Sequence, residues 1–195
     1  MKLLVATNNQ GKLKEFNKIL GELGIECVSL RDMGISADVE ETGTTFLENA
    51  LLKAKEIYKI AMIPTISDDS GLMVDILNGE PGVYSARYAG EPSDDQKNMD
   101  KLLAKLKDEP NRTARFKSVI AAVFSEDDVL VSEGECEGVI IDEKRGDNGF
   151  GYDPIFYVES LEKTFAEMSD AEKNSLSHRG NAIRNLKEQL KEKEL

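Results

Sequence analysis

The chain has 195 residues, of which 40% are hydrophobic and 32% charged, so it is long enough to bury a core and is unlike a disordered or fibrous protein. Its 37 acidic and 25 basic residues give a net charge of -12, which disfavours nucleic acid or an anionic membrane as a partner. The two cysteines lack metal-type spacing, and no apolar run is as long as a membrane span or a signal-peptide core. We therefore predict a cytoplasmic protein with a single domain over residues 1–195.

The spacing of apolar residues predicts strands and helices along the whole chain. In chain order these are a strand over 3–6, helices over 12–20 and 47–61, strands over 64–66 and 72–77, a helix from 93 that ends before 110, strands over 115–124, 129–132, 138–141 and 155–158, a short helix capped by residue 169, and a last helix around 183–190. A turn is predicted over 67–71. Thr45 with Glu48, and Ser93 with Gln96, have capping-box spacing. The mixture of hairpins and helical crossovers predicts a mixed-sheet α/β (α+β) fold.

The first candidate site is the turn between the first strand and the first helix. It reads Thr7, Asn8, Asn9, Gln10, Gly11, Lys12. Backbone N–H groups and the helix dipole favour a phosphate at such a turn, and Lys12 adds a positive charge. The segment is not a Walker A loop, because the first glycine and the Ser or Thr after the lysine are missing. Taken alone, a capped turn with a solvated lysine is the more ordinary interpretation.

The second candidate site is acidic and consists of Glu40, Glu41, Asp68 and Asp69. Mg²⁺ prefers hard carboxylate oxygens and keeps water and substrate phosphate as its other ligands, so two such pairs suit a metal-bound triphosphate. The alternative is that the glutamates favour a helix N-terminus and the aspartates shape a turn. Because adjacent carboxylates repel each other, Asp68 and Asp69 should differ in environment and role.

Two further segments are candidate sites, one over 146–154 and one over 173–180. Gly149 and Gly151 flank Phe150, whose ring could stack on a base, as could that of Tyr152. A hairpin whose aromatic rings join the core is the alternative. His178 is the only histidine, so a histidine-ligated metal cluster is excluded, and no Gly-x-Ser-x-Gly elbow supports a hydrolase of the serine type. A histidine next to an arginine also commonly caps a helix or lies at the surface.

Six segments in this order closely resemble the inosine triphosphate pyrophosphatase family, the bacterial dITP/XTP pyrophosphatases that clear deaminated (non-standard) purine nucleotides. The resemblance spans nearly the whole chain. The segments are Ala6 to Lys12, Glu41 to Ala50, Ser67 to Leu72, Pro81 to Tyr88, Phe150 to Pro154, and Ser177 to Gly180.

The resemblance implies a mixed α/β fold of two lobes around a long curved sheet, with a nucleotide in the cleft between them and a homodimer as the assembly. It implies hydrolysis of ITP, dITP and XTP to the monophosphate and pyrophosphate, with Mg²⁺ as the cofactor. The resemblance implies that the triphosphate is bound by Thr7, Asn8, Asn9, Gln10, Gly11 and Lys12. It implies three catalytic residues, Asp69, Lys53 and Asp68, with Asp69 as proton acceptor and metal ligand; the second metal ligand is Glu40 or Glu41, with Glu41 favoured. The remaining substrate contacts that it implies are Ser70, Phe150, Gly151, Tyr152, Asp153, Lys173, His178 and Arg179.

The chemistry of the residues agrees with these roles. Attack of water on the α-phosphorus requires an activated water and cations that stabilise the departing pyrophosphate, which Asp69, Lys12 and Lys53 can supply. Donors from His178, Arg179 or the backbone would favour the 6-oxo group of hypoxanthine and xanthine over the 6-amino group of adenine. Two alternatives stay open: a nucleotide-binding sensor without turnover, and a pyrophosphatase of other modified nucleotides.

Overall fold

The computed structural model describes residues 1–193, and these form strands and α-helices joined by short 3₁₀ turns. The elements are β1 (Lys2–Val5), α1 (Gln10–Leu20), β2 (Glu26–Ser29), α2 (Phe46–Ala61), β3 (Thr65–Val74), α3 (Asp95–Lys105), β4 (Thr113–Val123), β5 (Val129–Ile140), β6 (Phe156–Val158), β7 (Lys163–Thr164), α4 (Asp170–Leu176) and α5 (His178–Glu192). No helix within residues 1–193 is long and apolar enough to cross a membrane.

The strands form one mixed sheet in the order β2-β1-β3-β4-β5-β6-β7. β1 runs parallel to both of its neighbours, and β6 runs antiparallel to both of its own. Parallel neighbours need a crossover, which α1 supplies between β1 and β2 and α2 supplies between β2 and β3. The prediction of a mixed-sheet α/β fold is therefore confirmed.

The described chain divides into two compact units. Unit 1 contains residues 1–69, 118–134 and the described residues from His178 onward; unit 2 contains residues 70–117 and 135–177. Each unit has its own hydrophobic core. In unit 1 the buried faces of α1 and α5 contribute Phe16, Leu20, Ile183 and Leu186. In unit 2 the rings of Phe116, Phe156 and Phe165 pack with centroids 4.6 to 5.5 Å apart.

Local sequence signals explain where several helices begin. Asn9 caps α1, because its side chain accepts hydrogen bonds from the backbone N–H groups of Gly11 and Lys12. The capping box of Thr45 and Glu48 is present at the start of α2, as predicted. A second box, formed by Ser169 and Glu172, starts α4.

Some predicted elements were wrong. The predicted turn over 67–71 is the middle of β3, and the two strands predicted over 129–132 and 138–141 are one strand, β5. The α3 helix is capped by Asp94 rather than by Ser93. Strands β2 and β7 were not predicted. In β3 and β5, hydrogen bonding to neighbouring strands overrides the local preference of polar residues and glycine for turns.

Candidate active site

The turn after β1 belongs to unit 1 and has an ordered backbone. Asn9 Oδ1 accepts from Gly11 N at 2.9 Å and from Lys12 N at 3.2 Å, and Asn9 N donates to Thr7 Oγ1 at 3.1 Å. These bonds hold the turn at the N-terminus of α1, where the helix dipole is positive. Thr7 and Asn9 thereby shape the turn that the sequence analysis assigned to phosphate.

A cavity of about 190 Å³ adjoins this turn within unit 1. Its lining includes Thr7 and Asn8 from the turn and Lys53 from α2, with Asp38 and Val39 from the segment that precedes α2. The predicted phosphate turn and the predicted phosphate lysine therefore border the same cavity, although 46 residues separate Thr7 and Lys53 along the chain.

Lys53 forms an ion pair with Glu41, and both side chains are about three-quarters buried. Glu40, by contrast, is exposed. The two neighbouring glutamates therefore have different surroundings, and only Glu41 contacts α2 through this ion pair.

Asp69 also contacts α2, through a residue that the sequence analysis did not single out. Asn49 Nδ2 donates to Asp69 Oδ2 at 3.0 Å, while Asn49 Oδ1 accepts from Gly43 N at 2.7 Å. Because Asn49 and Lys53 are four residues apart on one helix, their side chains are neighbours on the same face. Asp69 therefore contacts this face at Asn49, and Glu41 contacts it one helical turn later, at Lys53.

Asp68 has a different environment from Asp69. Consecutive residues of β3 point to opposite faces of the sheet. Lys12 Nζ lies 3.1 Å from Asp68 Oδ1, and Arg179 Nε donates to Asp68 Oδ2 at 3.1 Å. Arg179 Nη1 also donates to Glu15 at 3.3 Å. The side chains of Asp68 and Arg179 are 3% and 5% exposed.

This cluster keeps the Asp68 carboxylate charged. Burial by itself opposes ionisation, but the charges of Lys12 and Arg179 and their hydrogen bonds hold the pKa of Asp68 well below its ordinary value. Burial likewise disfavours the charged form of Arg179, yet Asp68 and Glu15 raise the pKa of its guanidinium. The expected difference in environment between Asp68 and Asp69 is thus present in the structure.

His178 and Arg179 lie in the first turn of α5 and are buried. β5 approaches this turn closely at Gly134, where a Cβ atom would lie 2.2 Å from the His178 carbonyl oxygen. Ser132 Oγ, also on β5, donates to Ala182 O at 3.0 Å. Glycine at position 134 therefore permits the backbone approach that places the start of α5 and its Arg179.

In unit 2, the residues predicted to contact the base surround Asp153. Its Oδ2 accepts from Phe150 N at 3.1 Å and from Lys173 Nζ at 2.6 Å. Lys173 Nζ also lies 5.1 Å from the centroid of the Phe150 ring and 5.3 Å from that of Phe165. The Phe150 side chain is attached to a fixed backbone but is itself 56% exposed.

Tyr152 is part of the core of unit 2 rather than an exposed ring. Its hydroxyl donates to Ser85 O at 2.6 Å, and burial raises its pKa. The neighbouring Gly151 N donates to Asp95 Oδ2 at 2.8 Å. Of the two aromatic rings considered for stacking on a base, Phe150 is exposed and Tyr152 is buried in the core of unit 2.

The structure groups the predicted site residues by unit. Unit 1 holds the phosphate turn, both acidic pairs, Lys53, His178 and Arg179; unit 2 holds Ser70, the loop over 150–153 and Lys173. Sequence reasoning missed Glu15, Asn49 and Asp95. Asn49 did carry a signal, because a polar residue on the apolar face of a predicted helix needs a buried hydrogen-bonding partner.

Comparison with known proteins matches residues 3–189 to the model of the Ham1 family. A dITP/XTP pyrophosphatase of Bacillus cereus is 51% identical over 194 residues, covering 97% of this chain and 95% of that protein. The dITP/XTP pyrophosphatase of Bacillus subtilis is 48% identical over 189 residues, covering 96% of each chain.

Solved structures give the same result. The Ham1 protein of Staphylococcus aureus is 45% identical with a TM-score of 0.91, over 99% of this chain and 100% of that one. A HAM1 protein from Coxiella burnetii is 42% identical with a TM-score of 0.92, over 98% of this chain and 99% of that one. The sequence matches and the shared fold together show that this chain belongs to the Ham1 family.

Proposed function

We propose that this chain hydrolyses deaminated purine nucleoside triphosphates, namely ITP, dITP and XTP, to the monophosphate and pyrophosphate. The chain shares about half of its residues with dITP/XTP pyrophosphatases, over nearly the full length of both chains, and this similarity supports the reaction. The structural observation that carries the proposal is the grouping on α2. There Asp69 and Glu41 contact one helix face, and Lys53 of that face borders the same cavity as the phosphate turn.

Mg²⁺ is the cofactor that fits this donor set. Within the described residues, no group of three or more His, Cys, Asp or Glu side chains is placed to hold a metal ion. Mg²⁺ does not need such a cage, because it takes one or two carboxylates and completes its shell with water and substrate phosphate. Asp69 and Glu41 are the two carboxylates we assign, and the exposed position of Glu40 favours Glu41 as the partner of Asp69. A bound Mg²⁺ supplies Lewis-acid stabilisation of phosphate oxygens.

The protein residues supply the remaining chemistry. In the proposed reaction Asp69 accepts the proton of the attacking water at its carboxylate. Lys12 and Lys53 stabilise the negative charge that develops on the departing pyrophosphate. Each lysine is paired with a carboxylate in this structure, Lys12 with Asp68 and Lys53 with Glu41, so both ammonium groups are already held near the turn or the cavity. Asp68 anchors cations in this proposal and does not accept the proton.

The base is recognised by two sets of residues in the proposal. The exposed ring of Phe150 provides a face for stacking, and Lys173 is held beside it by Asp153. His178 and Arg179 are the candidate donors to a 6-oxo group, although Arg179 Nε and Nη1 already donate to Asp68 and Glu15. The homodimer remains a prediction from the resemblance, and the cytoplasmic location remains a prediction from the sequence pattern.

The reaction is tested by phosphorus NMR of the purified protein with ITP, XTP, ATP and GTP in Mg²⁺. We expect pyrophosphate from ITP and XTP and little product from ATP or GTP. Orthophosphate with a nucleoside diphosphate would mean cleavage at the γ-phosphate and would contradict the mechanism. Binding of ITP without product would instead support a nucleotide sensor.

The role of Asp69 is tested by Asp69→Asn. We expect kcat for ITP to fall by about 10² or more, because the variant loses a proton acceptor and a metal ligand. Binding of ITP, measured by calorimetry, should be largely retained because the base-side residues are unchanged. Undiminished turnover would show that another group activates the water.

A further inference from the structure

Asn49 is an unusual residue for its position. It lies inside α2 on the face that packs inward, and it is only 1% exposed. Asparagine is less favourable than alanine in a helix interior, and a buried amide must be hydrogen-bonded to be tolerated. Both ends of the Asn49 amide are used, by Gly43 N at 2.7 Å and by Asp69 Oδ2 at 3.0 Å. The side chain therefore joins a loop to a strand.

The loop is pressed closely against the first turn of α2. A Cβ atom on Gly43 would lie 2.6 Å from Asn49 Oδ1 and 2.7 Å from Glu48 Cβ, so only glycine allows this approach. Glu48 Oε2 accepts from Thr44 N at 2.6 Å and from Thr45 N at 3.2 Å, which fixes the next two residues of the loop. Glu41 lies two residues before Gly43.

The orientation of the Asn49 amide follows from these partners. A backbone N–H can only donate, so the group that faces Gly43 N must be the carbonyl oxygen of Asn49. The other end of the amide is then the NH₂ group, and it faces Asp69 Oδ2. The hydrogen bond from Gly43 N therefore decides which end of the Asn49 amide faces Asp69. The NH₂ group donates to Asp69 Oδ2 and holds that carboxylate oxygen in a defined direction.

We propose that Asn49 is a positioning residue that couples the loop carrying Glu41 to the carboxylate of Asp69. This inference rests on the proposed function, in which Glu41 and Asp69 bind the metal and Asp69 accepts the proton. In this proposal Asn49 acts through its protein partners, Gly43 N and Asp69 Oδ2. Its effect is on the orientation of the two carboxylates, so its loss should reduce kcat and metal affinity more than it changes the KM for nucleotide.

The kinetic test compares Asn49→Ala with Asn17→Ala. Asn17 is the matched control, because it also makes bonds at both ends of its amide, to Cys27 N at 2.9 Å and Cys27 O at 2.8 Å, in the same unit. We expect Asn49→Ala to lower kcat for ITP by about 10- to 100-fold, with less than about a threefold change in KM. Asn17→Ala should leave both kinetic constants near those of the parent, and thermal unfolding of both variants measures any common loss of stability.

A second readout does not depend on turnover. Binding of Mn²⁺ in the presence of α,β-methylene-ITP, followed by electron paramagnetic resonance, should be about tenfold weaker in Asn49→Ala and unchanged in Asn17→Ala. If the parent protein makes no pyrophosphate from ITP, the proposed function fails, and the Mn²⁺ comparison alone decides the role of Asn49.

An active parent together with an Asn49→Ala variant of equal kcat and equal Mn²⁺ affinity would overturn the inference and leave the proposed function intact. If Asn49→Ala does not fold, Gly43→Ala tests the same coupling from the loop end. Its added Cβ displaces the Asn49 amide while the amide itself remains, so kcat and Mn²⁺ affinity should fall in the same direction. Parent values for both would again overturn the inference.

Discussion

Each unit buries an aspartate that is bonded to a lysine, and the two aspartates hold different kinds of structure. In unit 1, Asp68 accepts from Lys12 on α1 and from Arg179 on α5, so it joins two helices to β3 through side-chain cations. In unit 2, Asp153 accepts from Lys173 on α4 and from a backbone N–H three residues before it.

The difference indicates what each carboxylate stabilises. Asp68 connects elements that are distant in the sequence, and its partners carry two positive charges. Asp68 and Arg179 are buried, whereas the Lys12 side chain is partly exposed. Asp153 holds a local loop, and its cationic partner Lys173 is also in contact with aromatic rings. Loss of the first carboxylate should therefore affect folding most, and loss of the second should affect mainly the loop and Lys173.

The largest expected effect is that of Asp68→Ala. Removing one member of a buried ion pair leaves the other charge without compensation, and we expect a loss of about 3–5 kcal/mol in the free energy of unfolding. Urea denaturation followed by circular dichroism measures it. A loss below about 1 kcal/mol would mean that Lys12 and Arg179 find other partners, and the contrast with Asp153 would disappear.

The pH dependence of stability gives a second test of Asp68. Its pKa is lowered in the folded state, so its contribution is present above the unfolded value of about 3.9 and is lost as pH falls through the folded value. The difference in stability between the parent and Asp68→Asn should therefore be constant from about pH 8 to pH 5 and shrink below about pH 4. A difference that already shrinks between pH 7 and pH 5 would contradict this assignment.

Asp153→Asn should have a smaller effect on stability, about 1–3 kcal/mol, because it weakens one charge-assisted hydrogen bond and keeps an acceptor for Phe150 N. The KM for ITP should rise at the same time if Lys173 and the loop contact the base. Lys173→Met is the matched variant, because it removes the cation of the Asp153–Lys173 ion pair and retains an apolar side chain. Similar KM values for both variants and the parent would remove this loop from the proposed site.

Phe150→Ala should change binding without changing stability. The ring is more than half exposed, so its removal exposes little core, whereas a stacked base is worth about 1–3 kcal/mol per ring. We expect the KM for ITP to rise about tenfold or more. Leu161→Ala, another exposed apolar residue of unit 2, is the control and should leave KM unchanged.

The smallest expected effect concerns the two thiols, which give each unit its own probe. Burial raises the pKa of Cys27 in unit 1 to about 12 and that of Cys136 in unit 2 to about 11. Both thiols should therefore resist Ellman's reagent at pH 8 in the native protein and react in urea. Faster labelling of Cys27 in Asp68→Ala, and of Cys136 in Asp153→Asn, would locate each destabilisation in its own unit.

The linkage of the thiols to stability has the opposite sign from that of Asp68. Because their folded pKa values are raised, their contribution is complete below the unfolded value of about 8.5 and declines as pH rises towards the folded values. Stability should accordingly begin to fall above about pH 9. Replacement of both cysteines by alanine should remove that part of the decline.

Most helices could be predicted from the sequence, because their signals are local. Thr45 and Glu48 are three residues apart, so the capping box between them can be recognised from the local sequence alone. The error at β3 has the opposite origin. Asp68 and Asp69 have turn-forming character by themselves, and their place within a strand depends on Lys12, Arg179 and Asn49, which lie 20 to 111 residues away.

The sequence by itself determined the family, the mixed α/β class and the capped turn after β1, since these depend on residue types in a fixed order. Only the tertiary structure decided that Glu41 rather than Glu40 contacts α2, that Asp68 is saturated by two cations while Asp69 meets an amide, and that Tyr152 is buried while Phe150 is exposed. The physical reason is that burial, charge pairing and hydrogen-bond direction are properties of neighbours in space, and the neighbours of these residues come from distant segments of the chain.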